Sequence, residues 1–158
     1  MATSMTFKQF SNFLNNREPE MKGKLEKAIK LCCQKVRSDI QYDMAHTPRN
    51  TSKSYYTHNK STPHHPSMPG NPPAPDTGNL RNSIRYEVHG ETSKEVYGIV
   101  GSTQKDPPYG TYLEYGTSDG KIAPRPWLRP AMRKNNEFIR KTIAEAVAKC
   151  LGGGTIND

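Results

Sequence analysis

The chain has 158 residues, of which 32% are hydrophobic and 24% charged, and its formal net charge is +8. This length suits a single domain, but the apolar share is below that of an ordinary globular domain, so the hydrophobic core must be small. The sequence has no run of about 18 apolar residues, which excludes a transmembrane helix. A mean hydropathy of −0.89 beside clear helical periodicity indicates a subunit completed by its neighbours, because association buries surface that one copy cannot.

The cysteines and the basic charge bear on compartment and partners. Cys32, Cys33 and Cys150 are three in number and no signal-peptide pattern is present, so we expect reduced thiols in a cytosolic protein. Cys32 and Cys33 fall in an apolar helical stripe and are interpreted as packing residues. A pI near 9.4 permits binding either to nucleic acid or to an acidic protein surface.

Residues 1–46 predict an N-terminal helical segment. Apolar side chains recur at helical spacing over residues 6–17, and Thr6 is placed to cap the first turn. Pro19 is expected to interrupt this short helix. Residues 20–44 then carry a second and stronger apolar stripe, which predicts a long helix with one buried side.

Residues 47–75 differ in kind, because they hold seven of the 13 prolines and almost no aliphatic side chains. Prolines favour extended backbone and remove donors, so we expect an extended arm or loop that lies on a neighbouring subunit or stays mobile until assembly orders it. The histidines His58, His64 and His65 raise the alternative of a zinc site. No second Cys or His pair at ligand spacing completes a set, so we expect no metal.

Residues 76–151 predict a small α+β body, which makes the whole chain a single α+β domain. Asp76 or Thr77 can accept hydrogen bonds from the amides of a short helix that carries Leu80 and Ile84 on one face.

A change from helical to alternating periodicity follows this short helix. Apolar residues alternate with polar ones over residues 84–88 and, less cleanly, over 96–100. The pattern predicts two antiparallel strands, with residues 89–95 as the turn between them.

The stretch from Tyr109 carries most of the unusual chemistry. Tyr109, Tyr112 and Tyr115 recur every three residues beside Leu113, so a short helical turn would place the rings and Leu113 on or near one face. Gly116 can take the left-handed conformation that ends such a turn.

A proline-stiffened segment follows. Pro124 and Pro126 flank Arg125, and the residue before a proline is held out of helical backbone. Trp127, the only tryptophan, lies between two arginines, and such a ring serves either as the core of its own subunit or as a contact between subunits. Pro130 fits the first turn of the next helix.

Residues 130–151 predict a final amphipathic helix that glycines stop, and residues 152–158 predict a flexible tail. The helix is expected to have a basic outer side formed by Arg129, Arg133, Arg140 and Lys141.

The sequence offers no enzyme chemistry. Residues 116–121 are one residue short of a phosphate-binding loop, and Ile122 replaces the Ser or Thr that such a loop needs. No nucleophile motif or paired carboxylates stand out, so we expect neither catalysis nor a cofactor. Glu114 is the carboxylate of most interest, because it can form a charge-assisted pair with Arg125 or Arg129, within a subunit or across an interface.

Two strings resemble the tail-component family of long-tailed bacteriophages, typified by a gene-ten product. Residues 113–132 read LEYGTSDGKIAPRPWLRPAM, similar to the family's Glu-aromatic-Gly-Thr followed by Arg-Pro-aromatic-Leu-Arg-Pro-Ala. Residues 69–84 read PGNPPAPDTGNLRNSI, similar to its Pro-Gly-x-Pro-Pro run leading to Thr-Gly-x-Leu-x-x-Ser-Ile. Together the strings cover roughly residues 66–133.

The resemblance implies a structural virion protein of the phage neck, assembled in the host cytoplasm, that completes the tail and joins it to the head. It implies a ring around the DNA channel, with six copies favoured over twelve. The implied partners are head-completion and tail-terminator proteins, with DNA passing through without sequence recognition and no membrane involved.

Combining the resemblance with the chemistry gives two sets of candidate residues. The subunit or partner interface is expected to comprise Glu114, Tyr115, Gly116, Thr117, Arg125, Pro126, Trp127, Leu128, Arg129 and Pro130. The structural turn and arm are expected to comprise Pro69, Gly70, Pro72, Pro73, Thr77, Gly78, Leu80, Ser83 and Ile84.

The alternative function is a basic nucleic-acid-binding protein. It would use Arg125, Arg129, Arg133, Arg140 and Lys141 on phosphates.

Overall fold

The computed structural model describes residues 6–54, 63–90, 95–103 and 109–152. Its elements in chain order are α1 Phe7–His46, α2 Asn79–Ser83, β1 Ile84–Gly90, β2 Val96–Ser102, α3 Tyr109–Tyr115, α4 Leu128–Lys134 and α5 Asn136–Cys150. A long N-terminal helix, a two-stranded antiparallel sheet, short helices and a C-terminal helix confirm the predicted α+β class. None of the helices in the described ranges is long and apolar enough to cross a bilayer.

The chain forms two compact units, each built from separated stretches of sequence. The first unit comprises Met1–Cys33, Glu87–Ile99 and Glu137–Asp158. The second unit comprises Gln34–Tyr86 and Val100–Asn136. The candidate site lies in the second unit, because all nineteen candidate residues fall within its two stretches.

Helix α1 starts where the sequence predicts but does not break at Pro19. Thr6 Oγ1 accepts from the amide of Gln9 at 3.3 Å, while Gln9 Oε1 accepts from the amide of Thr6 at 2.9 Å, which forms a capping box. The predicted interruption at Pro19 is wrong, since Pro19 lies inside one continuous helix of 40 residues. The apolar stripe predicted over residues 6–17 concerns side chains outside those described.

Contacts with the end of α5 hold α1 on both sides of Pro19. Arg17 Nη1 donates to the carbonyl of Cys150 at 2.6 Å, and Lys24 Nζ donates to the carbonyl of Lys149 at 3.3 Å. Both carbonyls belong to the last turn of α5, whose final C=O groups lack partners within the helix. These contacts, two residues before and five residues after Pro19, help to offset the hydrogen bond that Pro19 removes.

The cysteines pack in the first unit as predicted. Cys32, Cys33 and Cys150 are free and buried. Burial raises the pKa of both the Cys32 and the Cys33 thiols, so these side chains are uncharged packing groups at neutral pH.

The β-hairpin has a register that two contacts define. The amide of Thr103 donates to the carbonyl of Ser83 at 3.0 Å, and the rings of His89 and Tyr97 stack at 5.4 Å. Ser83 thus lies opposite Thr103 and His89 lies opposite Tyr97, and the same register places Gly98 opposite residue 88. The predicted strands are confirmed, although residues 91–94 of the predicted turn lie outside the described ranges.

The core of the second unit is small, and α1 supplies three of its eight buried hydrophobic residues. Its buried hydrophobic residues are Val36, Ile40, Met44, Leu80, Ile84, Leu113, Trp127 and Ala131. Arg37 Nε donates to the carbonyl of Ile84 at 3.1 Å, and Gln41 Nε2 donates to that of Arg81 at 3.0 Å. These two bonds tie α1 to the end of α2 and the start of β1.

The C-terminal region forms two helices rather than the single helix predicted. Asn135, only 3% exposed, separates α4 from α5 with a φ of −96° and a ψ of 1°. Its side-chain Nδ2 donates to the carbonyl of Ala131 at 2.9 Å and to Asp39 Oδ2 at 2.8 Å. In α4, Ala131 is buried and Met132 is 44% exposed.

The described part of the predicted arm is held by its own chain. Arg49 and Ser67 form an antiparallel bridge, and the amide of Asn50 donates to the carbonyl of Pro66 at 2.7 Å. Pro66, Ser67 and Pro73 are buried. Residues 47–54 and 63–75 thus contact their own chain, and a contact of this segment with a neighbouring subunit stays a prediction; residues 55–62 lie outside the described ranges.

Candidate functional site

Helix α3 forms as predicted, but its tyrosines and Leu113 lie on different faces. Tyr109, Tyr112 and Tyr115 are 43%, 40% and 63% exposed, whereas Leu113 is 3% exposed. The buried face consists of Gly110, Leu113 and Glu114, spaced at i, i+3 and i+4. The sequence pattern did not reveal this face, because its smallest member, Gly110, has no apolar side chain that would mark it as buried.

The Glu114 carboxylate is the centre of the site and is 3% exposed. Oε2 accepts from the amides of Trp127 at 2.7 Å and Leu128 at 2.9 Å. Oε1 accepts from Arg129 twice, from its amide at 3.1 Å and from its side-chain Nε at 2.8 Å. One buried carboxylate thus satisfies three amides at the start of α4, which intrahelical bonds leave without partners.

The charge of Glu114 is stabilised by these donors. Burial by itself raises the pKa of the carboxyl, but the amides of Leu128 and Trp127 and the Arg129 side chain together outweigh burial and hold the pKa below its ordinary value. Glu114 is therefore ionised at neutral pH, and its charge favours the folded arrangement of the segment that follows Pro126.

Arg129 links the buried carboxylate to the exposed aromatic surface. Its Nη2 donates to the main-chain carbonyl of Glu114 at 3.2 Å, and its guanidinium carbon lies 4.7 Å above the centre of the Tyr115 ring. The guanidinium over the ring is a cation–π contact, and tyrosine and arginine are both enriched at protein interfaces. Of the two partners that the sequence offered for Glu114, Arg129 forms the pair, and it does so within one chain.

Trp127 is buried within its own chain, which agrees with the alternative that the ring belongs to the core of its own subunit. The indole is 6% exposed, and its Nε1 donates to the carbonyl of Gly110 at 2.9 Å. A Cβ added at Gly110 would lie 3.2 Å from Leu80 Cδ1 and 3.4 Å from Trp127 Cζ2. Gly110 thus allows α3 to approach both of these side chains closely.

Gly116 and Thr117 shape the loop after α3. Gly116 has a φ of 80°, and its amide donates to the carbonyl of Tyr112 at 2.8 Å, so it ends the helix as predicted. Thr117 donates from its amide to the carbonyl of Ile122 at 3.0 Å and accepts from the Ile122 amide on Oγ1 at 3.0 Å. A Cβ on Gly116 would approach the Ile122 carbonyl to 3.0 Å, so the loop needs glycine for space as well as for conformation.

Arg125 and its neighbour Pro124 hold the string of residues 113–132 to Ser67 and to the string of residues 69–84. Its Nε donates to the carbonyl of Ser67 at 3.1 Å, and its amide donates to that of Leu113 at 2.6 Å. The amide of Gly70 donates to the carbonyl of Pro124 at 2.9 Å. Ser67 was not among the sequence candidates, and a carbonyl acceptor leaves no signal in residue type by which it could have been found.

The other turn and arm residues have local roles. Gly70 and Gly78 have φ of 86° and 82°, as left-handed turns require. Thr77 Oγ1 accepts from the Asn79 amide at 3.3 Å, so of the two predicted capping residues Thr77 bonds a helix amide. Ser83 Oγ lies 2.7 Å from both the Leu80 carbonyl and Ser102 Oγ.

The candidate prolines and the residues that flank Trp127 differ in exposure. Leu80 and Ile84 are buried with Pro73, Pro72 is half-buried, and Pro69 is exposed. Pro126 and Leu128 are half-buried, and Pro130 is exposed in the first turn of α4. Of the predicted interface set, Tyr115, Arg129 and Pro130 therefore present surface in the single chain, and Glu114 and Trp127 do not.

The Glu114 carboxylate fixes backbone, because both of its oxygens accept from donors at the start of α4. The described ranges hold no group of three metal-ligating side chains. His64 is buried with Nδ1 3.7 Å from Asp76 Oδ1. We call residues 124–130, as held by Glu114 and Arg125, the corner.

Comparison of the chain with protein-family models, with curated proteins and with solved structures finds no match in any of the three.

Proposed function

We propose that this chain is a structural virion protein of the bacteriophage neck that assembles through its corner into a ring around the DNA channel. The neighbours of this ring are head-completion and tail-terminator proteins, as the resemblance implies. The observation that carries the proposal is that the two family-like strings meet at the corner, where the Gly70 amide donates to the Pro124 carbonyl beside the bond from Arg125 to Ser67.

The surface beside the corner suits a protein partner. Tyr112, Tyr115 and Met132 are exposed on α3 and α4, and Arg129 is stacked on Tyr115. Tyrosine, methionine and arginine are enriched in protein interfaces, where they offer a large contact area. Glu114 fixes the backbone beneath Arg129, so part of the ordering cost of binding is met in the folded chain.

The balance of buried and exposed apolar residues also favours assembly. Twelve hydrophobic residues are buried among those described, while eleven large hydrophobic residues are exposed. A core this small gives limited stability, and each copy that joins a ring would cover part of the exposed set.

Assembly is tested with matched tyrosine variants. Tyr115 and Tyr42 are 63% and 61% exposed, but only Tyr115 contacts a residue of the corner. We expect Tyr115→Ala to lower the yield of rings in electron micrographs and native mass spectra at least about tenfold, since an interface aromatic contributes about 2 kcal/mol. Tyr42→Ala should assemble like the unaltered chain, and equal assembly of all three proteins would refute a docking role for the corner.

Nucleic-acid binding is the second candidate, favoured by exposed Arg133, Arg140 and Lys141. A titration with duplex DNA at several salt concentrations separates the two. Contacts to six or more phosphates would weaken binding by about 10³-fold between 50 and 200 mM salt. A connector that lets DNA pass should show little binding at 150 mM salt.

A further inference from the structure

The hairpin has one open edge, and it belongs to β2. The 3.0 Å bond from the Thr103 amide to the Ser83 carbonyl marks a hydrogen-bonded pair, so by alternation Tyr97 and Ile99 also direct their main-chain groups toward β1. The groups of Val96, Gly98 and Val100 therefore point away from β1. No further strand of the described chain lies on this edge.

The opposite edge, along β1, is obstructed where it begins. The carbonyl of Ile84 accepts from Arg37 Nε and from Arg85 Nη1, each at 3.1 Å. Alternate side chains of β1 on its outer face are charged or polar, at Arg85, Glu87 and His89. Side chains of this kind discourage pairing of strands between molecules.

Strand β2 has no such protection. It reads VYGIVGS and carries no charge, in a chain whose net charge is +8. Tyr97 and Ile99 are 54% and 52% exposed on the outer face of the sheet. An uncharged edge with exposed β-branched and aromatic side chains is a template for another strand.

Gly98 makes the main chain at the centre of this edge accessible. A Cβ at Gly98 would lie 2.3 Å from Cys33 Sγ and 2.8 Å from Ile29 Cγ2, so the inner side of Gly98 is closed by α1. Gly98 is nevertheless exposed. Its exposed surface is therefore backbone at the open edge, where a second strand would bind.

We propose that β2 pairs antiparallel with β2 of a second copy, about a two-fold axis through Gly98, to form a four-stranded sheet. The occupant is a second copy because residues 96–100 are self-complementary about Gly98 in the order Val, Tyr, Gly, Ile, Val. In this register Tyr97 of each copy lies opposite Ile99 of the other, at a position where the side chains are close and the main-chain groups face inward.

The paired sheet satisfies groups that the single chain leaves in water. Three residue pairs, centred on Gly98, would exchange about six main-chain hydrogen bonds. An isolated two-stranded hairpin is marginal, and four strands are an ordinary sheet size. Because the contact is small, the dimer should be weak and dependent on concentration.

The charge test compares two exposed aliphatic residues of the first unit. Ile99 and Leu31 are 52% and 50% exposed, and only Ile99 lies on β2. By analytical ultracentrifugation we expect Ile99→Lys to raise the dimer dissociation constant about tenfold or more, while Leu31→Lys leaves it unchanged. Equal constants for both variants, or a chain that stays monomeric at millimolar concentration, would overturn the proposal.

A cross-linking test fixes the register. Residues opposed in this way have Cα atoms about 4.5 Å apart, within the range of a disulfide. The double variant Tyr97→Cys with Ile99→Cys should form a covalent dimer on mild oxidation, whereas Leu31→Cys should not. Failure of the double variant to cross-link rejects this register, and the result does not depend on ring formation or on any phage component.

Discussion

The Nε of Arg129 donates to Oε1 of Glu114 at 2.8 Å, while the guanidinium of the same residue lies over the exposed ring of Tyr115. Arg129 is thus bonded on one side to a buried carboxylate and stacked on the other against surface that a partner can reach. Arg129 therefore connects the carboxylate that stabilises the corner with the surface that the corner offers to a partner. The effect of altering Glu114 on stability can be measured on the isolated chain.

Replacing Glu114 by Gln should destabilise the fold by about 2–4 kcal/mol at pH 7, because the amide cannot accept charge-assisted bonds on both of its terminal atoms. Urea unfolding measures the difference. The exposed Glu145→Gln variant is the matched control and should change stability by less than about 0.5 kcal/mol. A loss in Glu114→Gln no larger than in the control would show that the carboxylate does not hold α4.

The same variant predicts a pH dependence with a definite sign. The folded-state pKa of Glu114 is depressed, so its contribution is complete above the unfolded pKa of about 4.3 and is lost as the pH falls through the folded value. The stability gap between the unaltered chain and Glu114→Gln should therefore narrow below about pH 4.3. A gap that stays constant from pH 7 to pH 3 would contradict an ionised Glu114 as its source.

Trp127→Ala should destabilise by about 3–5 kcal/mol, since the indole is buried and its removal leaves a cavity beside Gly110. Trp127→Phe should retain more stability but lose the bond from Nε1 to the Gly110 carbonyl. Thermal unfolding followed by circular dichroism distinguishes the two variants. Unchanged melting in Trp127→Ala would mean that the ring serves a partner rather than the core.

Two glycines should respond oppositely to alanine. Gly23 lies inside α1 with nothing within 4 Å of an added Cβ, so Gly23→Ala should stabilise by about 1 kcal/mol through helix propensity. Gly98→Ala should destabilise by about 1–3 kcal/mol, because its Cβ would overlap Cys33 Sγ. Denaturant unfolding gives both changes in the free energy of unfolding, from the shift of the midpoint at an unchanged slope. A stabilised Gly98→Ala would show that β2 does not pack on α1 at this point.

The sequence predicted elements wherever local chemistry decides them. The Thr6 cap, the two strands and the left-handed Gly116 follow from side-chain type and spacing, and all three are found. The interruption predicted at Pro19 and the single helix predicted over residues 130–151 were wrong, since both outcomes depend on distant partners. Arg17 reaches Cys150 across the chain beside Pro19, and Asp39 binds the side chain of Asn135 at the break between α4 and α5.

The sequence identified several residues of the site but not how they are arranged. Glu114 and Arg129 were recognised as a potential pair, and the resemblance placed them in one string. That Glu114 would accept three amides could not be predicted, because amides carry no signal in residue type. Trp127 remained open between core and interface, since a pattern gives the size of a ring but not the depth at which it lies.

The central claim is that copies of this chain assemble through the corner, and native mass spectrometry of the purified protein tests it most directly. We predict a species near six times the 17.8 kDa of one chain, with twelve copies as the related outcome, and its loss in Tyr115→Ala but not in Tyr42→Ala. A chain that never exceeds a dimer at any concentration, with both variants indistinguishable from it, would contradict the account.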